Sequence, residues 1–407
     1  MQSSSGRATG WHPHSFSAPW QRALTPRARR ISLLLAITLL SILVHGYHMG
    51  TDDAAIYAPG IEKAADPSLF PSGSEFFMHH AGLSLFPRLV ASVTWLTDTR
   101  IEWSMLLWFG FAISVVVGCL RSGRAVLPKR ACALGGVGLL AALLSVPVAG
   151  TALIIADSYL TSRSLSTPLV LMAATCFLGK RPRTACLWLV CAFLIHPQMA
   201  IYGAGFALVL AVESRSHERV VFFETAPVLP VLLLPFFAHA HPEPAQGAYR
   251  EVLASRAYFL VTTWHWWEWV GAFAPLVILA ACAKLSPKPT LPAFSRMAKA
   301  LLGLGLISTV AALLLASDSD FSYLLRLQPM RSFHLIYVMF FVLLGGLVGE
   351  YLLRKHTWRW MLCLSTLSAG MFALDLATYP ASPHIEWPGV HYHLTYAQKS
   401  ALSEAVY

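Results

Sequence analysis

The chain has 407 residues and a formal net charge of +10, yet only 12% of its residues are charged, about half the share in an ordinary soluble domain. With 56% hydrophobic residues and a mean hydropathy of +0.58, a mainly soluble architecture is excluded. The apolar runs are continuous and do not alternate with period two, so they read as membrane helices and not as barrel strands.

Residues 1–30 form the first unit, Ser, Gly, His and Pro rich to about residue 25 and read as a disordered cytoplasmic tail. Arg27, Arg29 and Arg30 precede an apolar run from Ile31 to Met49, the first span. A basic stretch before an apolar run resembles a signal peptide. No small-x-small cleavage site precedes Thr51, so the segment is expected to stay as an anchor. The first outer loop, 50–101, opens with Thr51-Asp52-Asp53. Ala54–Ala65 and Phe76–Leu96 in it read as amphipathic surface helices, broken by Pro59, Pro67, Pro71 and Gly73.

Further spans are expected at 103–120, 132–150, 165–179, 184–198, 199–213, 220–238, 264–283, 300–316, 332–353 and 358–378. Together they make a transmembrane domain over 31–378 with about 11 spans and a C-terminal outer tail, 379–407. This topology places 21 of the 30 lysines and arginines on the side of the N-terminus, as the positive-inside rule requires. The basic excess is therefore topological and calls for no nucleic-acid partner. The seven cysteines lie in or beside apolar segments without a CxxC pair, so neither a disulfide nor a zinc site is expected.

Candidate chemistry sits on the outer side. Asp52 and Asp53 follow a helix C-terminus, where the dipole disfavours carboxylates. Asp52 is read as the cap of a short helix starting near Asp53, and the pair also offers a general base at the membrane surface; both roles can hold at once, for different residues of the pair. His45, His48 and Asp52 stand at i, i+3 and i+7 and would share a helical face. With Asp53 they offer donors for a divalent metal, but no second motif supports one, so no cofactor is expected.

Asp157-Ser-Tyr-Leu-Thr-Ser-Arg163 puts an acid and a base at membrane depth, where they should pair or face a polar cavity. Arg163 is alternatively a phosphate clamp. His196-Pro197 reads as a helix end. Trp264, Trp266, Trp267 and Trp269 read as an interfacial anchor, preceded by an amphipathic helix over Tyr249–Val261. Arg326, Gln328 and Arg331 enter the tenth span with groups suited to an anionic headgroup or to plain lipid anchoring. Asp375, inside the last span, is expected to pair with a neighbouring helix. Walker, GxSxG, HExxH and Rossmann patterns are absent.

A first span leading to a long outer loop that opens on acids and carries surface helices resembles the GT-C superfamily of membrane glycosyltransferases. The residues carrying the resemblance are Thr51-Asp52-Asp53, Ile56-Tyr57-Ala-Pro-Gly, Asp66-Pro-Ser-Leu-Phe-Pro, Asp157–Arg163, His196-Pro197, Gln328-Pro-Met-Arg331 and Ser382–Gly389. It implies an all-α polytopic transmembrane helix bundle in a bacterial inner membrane, N-terminus cytoplasmic and C-terminus periplasmic. It also implies a polyprenyl-phosphate-linked sugar as donor, with an acceptor it does not name. By this likeness Asp52 or Asp53 activates the acceptor, Asp157 is a second acid, and Arg163 and Arg331 hold the lipid phosphate. His196, Arg326 and Gln328 join them as substrate-binding candidates. A transporter or lipid flippase, and a non-catalytic membrane assembly protein, are the competing readings.

Overall fold

The computed structural model describes residues 26–49, 53–122, 130–146, 154–212, 251, 260–285, 292–317, 322–380 and 382–390. Among these the architecture is all-α, and its β pairing is an isolated bridge between Tyr47 and Ile385. In chain order the helices are α1 Pro26–His45, α2 Ala54–Ala65, α3 Glu75–Ala81, α4 Phe86–Thr97, α5 Ile101–Ser122, α6 Arg130–Ala142 and α7 Ser162–Leu178. They continue with α8 Pro182–Ile195, α9 Pro197–Val212, α10 Trp266–Leu285, α11 Pro292–Ser317, α12 Phe333–Leu347 and α13 Thr357–Thr378. A π-helical turn, Val348–Leu353, ends α12.

Six described helices are long and apolar enough to cross a membrane: those over Arg27–His45, Ile101–Gly118, Trp266–Lys284, Ala293–Ala316, Pro329–Leu353 and Thr357–Thr378. α6, α8 and α9 are shorter apolar helices. Their exposed surface is apolar: Leu39 and Leu43 on α1, Val277 on α10, Ile307 and Leu314 on α11, and Met361 and Leu362 on α13 all face outward. Such a surface needs lipid around it. The Pro329–Leu353 segment is 61% buried and the Thr357–Thr378 segment 6%, so α12 is the central helix and α13 a peripheral one.

Small residues set the closest approach. Gly135 of α6 packs backbone to backbone on Gly345 of α12, with Gly349 beside it. Without a Cβ the two helices gain dispersion contacts that lipid does not replace. Gly203 of α9 fits against Val170 of α7 and Leu189 of α8, where a Cβ would stand 2.8 and 3.0 Å from their side chains.

Packed helices run antiparallel, α6 against α12 as well as α1 against α5, which gives the bundle two unlike ends. Thr38 of α1 bonds Ser114 of α5 at 2.8 Å, while Leu34 lies by Gly118, so these two run antiparallel. One end gathers Arg27, Arg29 and Arg30, the α7–α8 turn with Lys180, Arg181 and Arg183, and Arg354, Lys355 and Arg359 after α12. The other end carries the surface helices and the candidate site. α2 and α4 bury one stripe each, Ala54 and Ile61 on the first and Phe86, Val90 and Ala91 on the second. Fully burying Ile61 and Phe86 stabilises by about 1.5–3 kcal/mol apiece. Trp95 Nε1 then donates to the carbonyl of Ala65 at 3.0 Å, tying α4 to the end of α2.

Several boundaries differ from those expected. The first span ends at His45 and not at Met49, because Gly46 turns the chain at φ +73°. A Cβ there would come within 2.8 Å of Asp375 Oδ2, the His384 carbonyl and His48 Nε2, so conformation and space both demand glycine. His45 and His48 consequently do not share a helical face. The expected helix over 76–96 is two helices, α3 and α4, parted at Gly82–Leu85, while Pro59 lies inside α2 without breaking it. The span expected over 132–150 ends as a helix at Ala142. The one expected at 300–316 starts earlier, at Pro292. The 220–238 span and nearly all of the Tyr249–Val261 helix fall outside the described residues.

Candidate functional site

The site is organised by the first turn of α7. Thr161 caps the helix in a reciprocal box: its Oγ1 accepts from the Ser164 N–H at 3.3 Å, and its own N–H donates to Ser164 Oγ at 3.2 Å. Asp157, in the extended approach, accepts from Thr161 Oγ1 at 3.1 Å. Arg163 Nη2 sits astride the same carboxylate, 2.9 Å from each oxygen. The expected Asp–Arg pair therefore forms across a helix cap and not along a helical face. Both side chains are buried, at 7% and 10% relative exposure. A guanidinium in the first turn lies at the positive end of the helix dipole, an unfavourable place for a cation. Asp157 offsets that charge, and the dipole favours a second anion at this helix start.

Other elements converge on this pair. From α2, Tyr57 Oη lies 3.2 Å from Ser162 Oγ. Burial pushes the Tyr57 phenol above its ordinary value, with Arg163 and Ser162 acting the other way. Asp53, one turn earlier, is half-buried at the N-cap of α2 and makes no side-chain capping bond. Its charge acts on both Tyr57 and Arg163.

From α12, His334 Nδ1 lies 2.9 Å from the carbonyl of Ile154, an acceptor, so this nitrogen carries the proton. Its Nε2, 2.9 Å from Thr167 Oγ1, then accepts in the neutral ring. The charges of Arg163, Asp157 and Arg331 all reach His334. Arg331 and Arg163 also act on Tyr202 of α9.

A narrow crevice of about 30 Å³ runs between these groups, room for about one water-sized guest. Asp157, Arg163, Thr167 and His334 form one side of it, and Phe109 and Ile113 of α5 are on the apolar side.

Beside it, Gln328 holds a left-handed backbone (φ 43°, ψ 63°) between the 3-10 turns Ser322–Leu327 and Pro329–Ser332. For a non-glycine residue this costs about 1–2 kcal/mol. Tyr202 Oη stabilises it by donating between the carbonyls of Leu327 and Gln328, at 2.7 and 2.8 Å, and Gln198 Nε2 donates to Leu327 O at 3.1 Å.

Of the residues singled out in the sequence, Asp157 and Arg163 form this site and Asp53 stands one turn before Tyr57, while Arg331 reaches His334 and Tyr202 through its charge and Gln328 through the bond to Tyr202. His196 does not: it ends α8, and its Nδ1 accepts from the Met199 N–H at 3.2 Å, which serves the start of α9. Asp52 lies outside the described residues, and so does the side chain of Arg326. Tyr57, Tyr202 and His334 were missed. Only Tyr57 carried a signal, its place shortly after the opening acids.

A second polar cluster adjoins the first. Asp375, near the end of α13, lies 3.1 Å from His48 Nε2 and 2.7 Å from His384 Nδ1. The expectation that Asp375 pairs is met, but its partners are histidines in two non-helical segments. His384 Nε2 also lies 2.8 Å from the Leu43 carbonyl, so both ring nitrogens face oxygen acceptors. Residues 382–390 thus return as a strap over the end of α1. Tyr47 N–H donates to His384 O at 3.0 Å and Glu386 N–H to Tyr47 O at 2.8 Å. His48 N–H reaches Ser158 O at 2.8 Å, which joins the turn after α1, and with it the strap paired to Tyr47, to the Asp157 segment.

His45 is committed to α6 and the turn after it, through Ser145 Oγ at 2.7 Å and the Ala141 carbonyl at 2.8 Å. The two histidines considered as metal donors therefore serve different partners. Among the described residues no group of three or more His, Cys, Asp or Glu is arranged to hold a metal.

No protein-family model, curated protein or solved structure matches this chain. Its functional reading therefore rests on the site.

Proposed function

We propose that this chain is a GT-C-like membrane glycosyltransferase that uses a polyprenyl-phosphate-linked sugar at the acid-rich end of the bundle. In this reading that end faces the periplasm, and the basic end faces the cytoplasm of a bacterial inner membrane. The observation that carries it is Arg163: a buried guanidinium in the first turn of a capped helix, lining with His334 a crevice that the apolar Phe109 and Ile113 of α5 also line, with the charge of Arg331 reaching the same His334. An anion attached to a long apolar chain suits both halves of that environment.

The acceptor hydroxyl attacks the anomeric carbon as its proton passes to Asp53 or Asp52. The carbon–oxygen bond to phosphate breaks, and the polyprenyl phosphate leaves with the electron pair, its charge met by Arg163 and Arg331. Asp157 is assigned to holding Arg163 in place and not to moving a proton, since its carboxylate is already taken up by Arg163 and Thr161. A transporter or flippase would need polar groups strung toward the basic end, whereas these cluster at one end.

The test uses purified protein in liposomes supplied with radiolabelled mannose- or glucose-carrying polyprenyl phosphates, with release of polyprenyl phosphate as readout. Asp53→Asn is expected to slow release by roughly 10²–10⁴-fold. No release by the wild type from either donor, or undiminished release when Asp52 and Asp53 are both Asn, defeats the proposal.

A further inference from the structure

The surface helices enclose a groove that the Arg163 site does not use. It measures about 280 Å³ and lies between α2, α3, α4 and the adjoining end of α8. Gly60 and Ala64 of α2, Met78 of α3, Leu85 and Leu194 line it, together with Arg88 of α4. Its residues are entirely different from those of the Arg163 crevice. α2 contributes small residues along this side, and a Cβ on Gly60 would stand 2.8 Å from that of Ala81.

Two properties say what fits there. The rim is apolar and outward-facing: Leu83 is 63% exposed, Leu85 47% and Leu194 45%. On a chain surrounded by lipid, such side chains stand among acyl chains. The charged side chain in the lining is Arg88, exposed on α4, and no carboxylate of the described residues is within ion-pair distance of it. A cation beside an apolar trough at the membrane surface complements a negatively charged headgroup carrying a chain. A zwitterionic lipid supplies the chain without net charge, and a soluble phosphate supplies the charge without the chain.

We propose that this groove binds one chain of an anionic phospholipid, with the lipid phosphate paired to Arg88. The surface helices are then seated on a bound lipid as well as on α5. The site stands apart from the transfer chemistry proposed above, because it shares no lining residue with that crevice and its occupancy is read without turnover.

The experiment mixes the full-length protein in detergent with equal amounts of phosphatidylglycerol and phosphatidylcholine of identical chains. Retained lipid is read by native mass spectrometry. The wild type is expected to keep phosphatidylglycerol preferentially. Arg88→Gln, at an exposed position, should lower that adduct about fivefold and leave phosphatidylcholine unchanged. Arg88→Lys should keep most of the preference.

Ala64→Leu, which fills the trough, should lower both adducts; if it does not fold, Met78→Trp fills the same space from α3. Equal retention of the two lipids by the wild type overturns the proposal. So does full phosphatidylglycerol retention by Arg88→Gln, an equal fall of both lipids in that variant, or unchanged adducts when the trough is filled.

Discussion

Removing Asp157 should cost far more than removing the pair. In Asp157→Ala the Arg163 side chain, 10% exposed in the native structure, loses the carboxylate 2.9 Å from its Nη2. At that separation the direct attraction is roughly 5–6 kcal/mol for an effective dielectric near 20. Desolvation of both ions has already consumed part of it. What the variant exposes is the cost of a buried cation without its partner, about 3–5 kcal/mol. Thr161 Oγ1 also loses the acceptor it donates to at 3.1 Å, worth about 1 kcal/mol.

The double variant Asp157→Leu with Arg163→Met removes both charges at similar volume and should fall close to the wild type in stability. The assay is unfolding by rising SDS mole fraction in mixed micelles, followed by tryptophan fluorescence, for the wild type, both single variants and the double. A loss under about 1 kcal/mol in Asp157→Ala would mean that Arg163 is solvated in place, and the idea of a buried anion site would go with it. A double variant as unstable as the worse single one would refute the pairing argument. Under the transferase reading the stable double variant should still be inactive, which separates folding from function.

Two further outcomes follow from the strap. Gly46→Ala forces a Cβ into the left-handed region and against Asp375, His384 and His48 at 2.8 Å. Conformation alone costs about 1–2 kcal/mol, and the same SDS titration should show at least that loss. Asp375→Asn removes the carboxylate shared by His48 and His384, a loss of about 1.5–3 kcal/mol for hydrogen bonds to a charged group. Release of the strap should then speed limited proteolysis within residues 382–390 by roughly 10-fold or more; an unchanged cleavage rate would show that Asp375 does not hold it.

What could be read in advance was whatever depended on local periodicity or on the cost of charge in lipid. α5, α7, α8, α9, α10 and α13 lie within a few residues of their expected places, because each is an apolar run bounded by charged or helix-breaking residues. Asp157 with Arg163, and Asp375 with some partner, followed from the expense of leaving them alone. Other features were hidden because their causes are distant in sequence. The end of α1 is fixed by a glycine whose neighbours are Asp375 and His384, and no window around residue 46 contains them. The partner of Asp157 was legible, but its geometry was not: Thr161 starts the helix between the two residues and carries Arg163 round to the carboxylate. His334 carried no signal in the sequence, because Ile154 and Thr167, which hold its ring, are 180 and 167 residues away.

The two polar clusters are better regarded as one construction. His48 presents its side chain to Asp375 and its backbone N–H to Ser158, the residue directly after Asp157. Ser158 Oγ in turn donates to Tyr379 Oη at 3.3 Å, and the Tyr379 ring lies 4.1 Å from that of His48. The Asp157 segment is thus braced from the turn after α1, from Tyr379 just past α13 and, through Asp375 and His384, from the strap. Asp157 must hold its carboxylate to within a few tenths of an ångström if Nη2 of Arg163 is to reach both oxygens, and an extended segment cannot do so by its own hydrogen bonds. The bracing supplies that rigidity from helices whose other ends lie across the bundle. A chain that only needed an Asp–Arg pair for stability could have built it along one helical face. Building it across a helix cap, with three distant segments holding the acid still, leaves the guanidinium and the helix N-terminus fixed beside an apolar wall. Under the transferase reading, that is the preorganisation the lipid phosphate requires.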